Sequence, residues 1–377
     1  MRSLKFNYDK DLPKASNFKQ EYLINQVTLL KEIPQHIQKS QGWYEMRNTL
    51  ISASDWGTIL GMNHYSNSNS VLLKKCGEDN FIKNAAMDWG NKYEDVAISI
   101  YEYRNQVKVS DFGCIRHPNI SFLGASPDGI TDDGIMLEIK CVVSREITGI
   151  PPEHYWCQVQ GQLEICELDR CDFLECKFLE YNNETEYLED NYEENIYLNK
   201  YGYEKGVIAE FYRKDDKTLF FNYSPVNIIG DNLNKWKKSI VEKNINENII
   251  FSCFYYWYLL EVSCVPIYRN QEWFNNTALP NLEIFWNKVL KYRELGLNIL
   301  KRDLENEKLE KNRIKDEKKK KDKEDKTISK KQKKIKDFID LGESAPAIIT
   351  NPPSDDDSSI DDDFNLNSTN ISFFSDS

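Results

Sequence analysis

The sequence predicts a mixed α/β fold, in the α+β sense, with a central mixed β-sheet flanked by helices. Three observations carry this. Trp89, Tyr93, Val96, Ala97, Ile100 and Tyr101 recur at the spacing of a helix packed on one face, over 85–103. Three short apolar runs at 107–115, 120–125 and 135–142 are separated by turn residues, the pattern of consecutive strands. A second helical stretch at 154–168 is followed by a strand-like run at 173–178. Helix, three strands, helix, strand gives a sheet with helices packed against it and not a doubly wound nucleotide fold.

The remaining elements follow in order. Residues 1–40 hold few apolar periodic positions before Tyr22, Leu23 and Ile24, and read as a peripheral helix with loops. The body begins near Gln41-Gly42-Trp43. Ser52-Ala53-Ser54-Asp55, ahead of Trp56, Ile59 and Leu60, predicts a short N-capped helix stopped by Gly61. The acidic, Tyr-rich 182–195 reads as a solvated loop and 206–212 as a strand, while 236–240, 255–262 and 282–300 are expected to add helical and aromatic cover. A Lys/Glu-rich segment, helical or frayed, then precedes an Asp/Ser/Asn tail whose composition predicts disorder. The expected organisation is a peripheral segment 1–40, a body 41–300 with a helical C-terminal extension, a charged segment 301–340 and an acidic tail 341–377.

Charge is unevenly distributed. The net charge of −12 resolves into −10 over 1–300, +6 over 301–340 and −8 over 341–377. An acidic body binds nucleic acid only where metal neutralises its carboxylates and a local basic groove tracks the backbone. No signal-like or membrane-length apolar stretch is evident, and nine cysteines without a paired framework fit a reducing compartment. A soluble intracellular protein, cytoplasmic or nuclear, with no membrane partner, is the expectation. The four histidines share no common spacing, and Cys166, Cys171 and Cys176 stand five apart, unlike paired zinc or iron–sulfur ligands.

The chemistry concentrates in two blocks. Ser126-Pro127-Asp128-Gly129 places an acid at a turn, and Leu137-Glu138-Ile139-Lys140 follows on an apolar strand. Residues i and i+2 of a strand share a face, so Glu138 and Lys140 point the same way, while Leu137 and Ile139 face the core. Two carboxylates and an ammonium converging on one spot hold a divalent cation beside a water and a phosphate, which points to metal-assisted phosphodiester hydrolysis. Taken singly, each block has a plainer reading: Pro-Asp-Gly as a turn, and Glu138 with Lys140 as a solvated strand face.

Together these blocks resemble the PD-(D/E)XK nuclease superfamily with its restriction-endonuclease-like core, and more narrowly the phage lambda exonuclease and YqaJ-type viral recombinase nucleases. Trp43, Arg47 and Ile51-Ser52-Ala53-Ser54-Asp55 are similar to the family's entry block, Trp89-Gly90-Asn91-Lys92-Tyr93-Glu94 to its acid-bearing helix, and Gln158-Val159-Gln160 to its next helix. The resemblance implies that Asp128, Glu138 and the main-chain carbonyl of Ile139 ligate Mg²⁺ or Mn²⁺, with Glu94 completing the shell. It implies that Lys140 orients the attacking water and stabilises developing charge, and that Gln160 positions the water or a phosphate oxygen. Arg47 and Ser54 match residues that grip a terminal 5′-phosphate. The implied activity is 5′ to 3′ degradation of double-stranded DNA ends in viral-type recombination, repair or replication. A ring of three subunits and a single-strand annealing partner are further implications. A structure-specific endonuclease of the same fold and a non-catalytic DNA-end scaffold are the alternatives.

Overall fold

The computed structural model describes residues 17–78, 84–193 and 195–342. Contacts group the chain into a first unit ending at Asn306 and a second beginning at Glu307. The first opens with α1 (Asn17–Glu32), which buries Val27 and Leu30 against the body. It continues with α2 (Gln41–Asn48), β1 (Ile51–Ser52), α3 (Ala53–Ile59), α4 (Ser68–Lys75) and the long α5 (Ala85–Asn105). Ser40 caps α2 by accepting from the Trp43 amide.

The apolar runs that follow fold as β2 (Val109–Ser110), β3 (Ile115–Arg116), β4 (Leu123–Ala125), β5 (Gly129–Thr131) and β6 (Met136–Cys141). Next come α6 (Glu153–Cys166), β7 (Arg170–Glu180), α7 (Glu184–Glu189), β8 (Lys205–Arg213), β9 (Leu219–Tyr223), α8 (Gly230–Asn244) and β10 (Ile249–Tyr268). The first unit closes with α9 (Gln271–Trp273), a π-helical turn at Phe274–Ala278 and α10 (Leu279–Leu295). A last helix, α11 (Leu297–Gly342), passes into the second unit.

The main sheet has seven strands in the order β2-β5-β6-β7-β10-β8-β9, and β6 and β7 form its parallel pair. A second sheet, β1-β4-β3, lies beside it. The mixed sheet flanked by helices is the architecture the sequence predicts. One core joins α5 to Leu137, Ile139, Leu174, Phe178 and Trp257; another gathers Trp56, Val159, Leu163, Phe173 and Phe274 around α3, α6 and α10.

Two local expectations are corrected. Residues 255–262 are not helical cover but lie within β10, where they pair with both β7 and β8. Alternation decides it: Phe254 and Tyr256 pack toward Tyr187 and Leu233, whereas Tyr255, Trp257 and Leu259 pack toward the α5 core. Within 182–195, α7 forms, Asn183 caps it, and Tyr187 is fully buried. The segment from Lys301 is helical in the described residues, and the expectation of disorder falls, from 343 on, outside them. Among the described residues no helix is long and apolar enough to cross a membrane.

Candidate active site

β5 and β6 form an antiparallel pair with Gly129 opposite Leu137, which brings the turn carrying Asp128 alongside Glu138. The Ile139 amide donates to Asp128 Oδ2 at 2.7 Å and fixes the carboxylate. Glu138 is fully buried and holds three donors: Lys140 Nζ and Gln158 Nε2 (2.7 Å) on Oε1, and Gln162 Nε2 (2.6 Å) on Oε2. Lys140 also lies 4.8 Å from the centre of the Tyr155 ring. Tyr155, Gln158 and Gln162 fall on one face of α6, which covers this side of the sheet.

Gln160 is not part of this cluster. Two residues from either neighbour is about 200° around a helix. Gln160 accordingly points away, donating to the Tyr268 carbonyl (2.8 Å) and accepting from the Asn270 amide (2.7 Å). Both ends of its amide thus hold main-chain partners on the side of α6 away from Gln158 and Gln162. Sequence reading missed Gln158 and Gln162, although their i, i+4 spacing in the same helix was a visible signal.

Glu94 on α5 and Asp128 line one cavity of about 580 Å³, together with Asp95, Asp111, His36 and Lys39. The segment between α1 and α2 walls this cavity: Gln38 donates to the carbonyls of Phe112 (2.8 Å) and Pro127 (3.2 Å), and Gln35 accepts from the Gly113 amide. Gly113 is required there, because a Cβ would collide with the His36 carbonyl.

Arg47 and Ser54 meet as a pair, Nη2 to Oγ 2.9 Å, and Ser54 donates on to Ser52. The guanidinium stands 4.4 Å over the Trp43 ring, whose Nε1 donates to Ser126 Oγ at 3.0 Å. Ser126 precedes Pro127-Asp128, and so ties this basic pocket to the acidic cluster. Buried Lys75 braces it, donating to the Arg47 carbonyl (2.8 Å) and pairing with Asp55 (3.4 Å). Burial lowers the Lys75 pKa to about 8. Although burial opposes it, the charges of Lys75, Lys74 and Arg47 hold Asp55 below the usual carboxylate range.

The electrostatics of the acids run the other way. Burial, with the charges of Glu138 and Glu94, pushes Asp128 well above the usual carboxylate range. Glu94 is raised too, by burial first and then by Asp95 and Glu138, against the pull of Lys39 and Lys140. Burial works against the Lys140 ammonium, yet Glu138 and Asp128 outweigh it and raise its pKa. Neighbouring carboxylates that repel one another, all hard oxygen donors, fit a divalent cation. Among the described residues no three acid, histidine or cysteine side chains stand together as a ready cage. The fit therefore rests on Asp128 and Glu138 with main-chain oxygen and water.

Residues 42–169 match the YqaJ-like viral recombinase domain. That stretch runs from α2 through α6 and includes the whole cluster from Arg47 to Gln162. The chain is similar to an uncharacterized protein of Acanthamoeba polyphaga mimivirus, 31% identical over 327 residues, covering 78% of this chain and 59% of the relative. It is also similar to a protein of African swine fever virus, 28% identical over 173 residues, covering 37% of this chain and 48% of that one. The chain thus spans about three fifths and about half of these relatives' lengths. Among solved structures, an alkaline exonuclease from Laribacter hongkongensis aligns at 19% identity over 71% of this chain and 99% of that one, with a TM-score of 0.38. A phage-related exonuclease from Haemophilus somnus aligns at 14% identity over 65% and 94%, with a TM-score of 0.33.

Proposed function

We propose that the YqaJ-like domain is a divalent-metal-dependent DNA exonuclease that degrades double-stranded ends from 5′ to 3′. The observation that carries this is the Asp128–Glu138–Lys140 cluster around the buried Glu138, joined through Ser126 to the Arg47–Ser54 pocket. Asp128 and Glu138, with the Ile139 carbonyl, would hold Mg²⁺ or Mn²⁺, and Glu94 would complete the shell through water; the ion would supply a water acidic enough to act as nucleophile and would screen the phosphodiester.

The chain's own groups do the rest. The Ile139 amide keeps Asp128 aimed, and Gln158 and Gln162 keep the Glu138 carboxylate from swinging. Lys140, held charged by its acidic neighbours, donates toward the attacking water and the phosphate oxygens on which negative charge grows. Arg47 presents a planar fork on the Trp43 ring, and Ser54 adds a hydroxyl, a pair suited to a terminal 5′-phosphate. Gripping the end would make the enzyme start there.

The decisive experiment digests end-labelled linear duplex with Mg²⁺, Ca²⁺ or EDTA, beside a covalently closed circle, comparing wild type with Lys140→Ala. Wild type should release the 5′ label first, only with Mg²⁺, faster from 5′-phosphate than from 5′-hydroxyl ends, and should spare the circle. Lys140→Ala should lose activity by at least about 100-fold. A cut circle makes the protein an endonuclease. Equal rates in wild type and Lys140→Ala remove the assignment.

A further inference from the structure

The lysines of α11 are sorted by face. At about 100° per residue, Lys308, Lys315, Lys319, Lys323, Lys326, Lys330 and Lys333 fall within an arc of about 80°. No acidic residue lies inside that arc between Lys308 and Lys333; Asp316 and Asp322 border it. The opposite pole carries Glu310, Glu317 and Glu324, seven apart, with Ile314, Ile328 and Ile335. All seven lysines are exposed, and none makes an ion pair with another described residue.

This arrangement works against the helix itself. Lys315/Lys319, Lys319/Lys323, Lys323/Lys326, Lys326/Lys330 and Lys330/Lys333 are like-charged neighbours at i+3 or i+4, and each such pair costs helix stability. Glutamates that would relieve them, as Glu310 and Glu317 do for Arg313, stand on the far side. A solvated helix gains nothing from such segregation, whereas a polyanion lying along the stripe turns every one of these repulsions into a contact. The stripe is about 38 Å long, close to one turn of B-form duplex.

We infer that the lysine face of α11 binds the sugar-phosphate backbone of duplex DNA, without base specificity. A second copy of the chain is the poorer occupant, because pairing two of these helices would set a net charge of +6 over 307–340 against the same charge. The inference rests on the nuclease reading only for the choice of DNA. Binding is therefore read in EDTA, where cleavage plays no part.

The test measures anisotropy of a fluorescein-labelled 30-base-pair duplex against the full chain over a range of salt concentrations. One variant carries Lys319→Gln, Lys323→Gln, Lys326→Gln and Lys330→Gln. Its charge-matched control carries Lys318→Gln, Lys320→Gln, Lys321→Gln and Lys331→Gln, all off the stripe. Glutamine keeps helix propensity, and circular dichroism checks it. Each lost phosphate contact should flatten the log–log salt slope by about 0.9, so the stripe variant, with four lysines removed, should lose about 3.6 and the control less than about 1. Equal losses in the two variants, or none in either, overturn the inference, as does a stripe variant changed only in sedimentation. A protein that binds through the stripe and never cuts upholds the inference and removes the nuclease reading; one that cuts with no contribution from the stripe does the reverse.

Discussion

Glu138 accepts from one ammonium and two amides, and each donor constrains a different motion of the carboxylate. Lys140 comes from its own strand, whereas Gln158 and Gln162 come from α6 and clamp Oε1 and Oε2 separately. A clamped carboxylate is aimed before substrate arrives, and loss of such a supporting group typically costs 10- to 100-fold in activity. Gln162→Leu should therefore lower kcat by about tenfold while leaving KM unchanged. Gln160→Ala should behave in the opposite way. It strands the Tyr268 carbonyl and the Asn270 amide, costing about 1–3 kcal/mol of stability, with kcat intact. Thermal melts and steady-state rates on the two variants separate the roles, and a kcat effect confined to Gln160→Ala would falsify this division. Asp128, Glu138 and Lys140 were legible from sequence because strand alternation and one turn fix their directions. Gln160, which the resemblance set beside the attacking water, lies apart from Gln158 and Gln162 because a motif names adjacent residues, while a helix sends alternate ones to nearly opposite sides.

Among the elements, α5 is fastened to the residue that leads into β8 by a buried ion pair. Arg104 donates through Nε and Nη2 to the two oxygens of Glu204, at 2.8 and 2.6 Å, and Glu204 has no exposure. A pair with this geometry stabilises little in net terms, but removal of one partner strands a buried charge. Glu204→Leu should destabilise by about 3–5 kcal/mol, read as a lower urea midpoint, and the shift should shrink when Arg104→Met is added. Full additivity of the two would mean that the pair does not couple. The same strands show where sequence reading runs out. β6 was legible because polar residues interrupt its apolar ones at every second position. The run from Tyr255 to Leu260 in β10 has no such interruption, since both faces are covered, and an unbroken apolar run fits a buried helix as well as a buried strand. Its aromatic content was the better guide.

For the whole molecule, the matched stretch 42–169 is not self-sufficient. Its last helix, α6, shares a core with residues far downstream: Phe274, Leu282, Phe285, Val289, Tyr292 and Leu300 are buried with Trp56, Val159 and Leu163. Phe274 stacks on Trp56 at 5.8 Å between ring centres. Arg293 of α10 donates to the carbonyls of Lys75 (2.9 Å) and Asn48, so a C-terminal helix braces the ends of α4 and α2, beside Arg47. Each of those six side chains contributes roughly 1.5–3 kcal/mol by burial, together comparable to the whole stability of a typical domain. A chain ending at Asn270 should therefore lack a cooperative melt and bind hydrophobic dye. A chain ending at Asn306, where the first unit closes, should unfold cooperatively with a Tm within a few degrees of the full chain. Calorimetry on the two truncations decides the matter, and a cooperative transition in the shorter one would show that the matched stretch and its sheet close their core without α10.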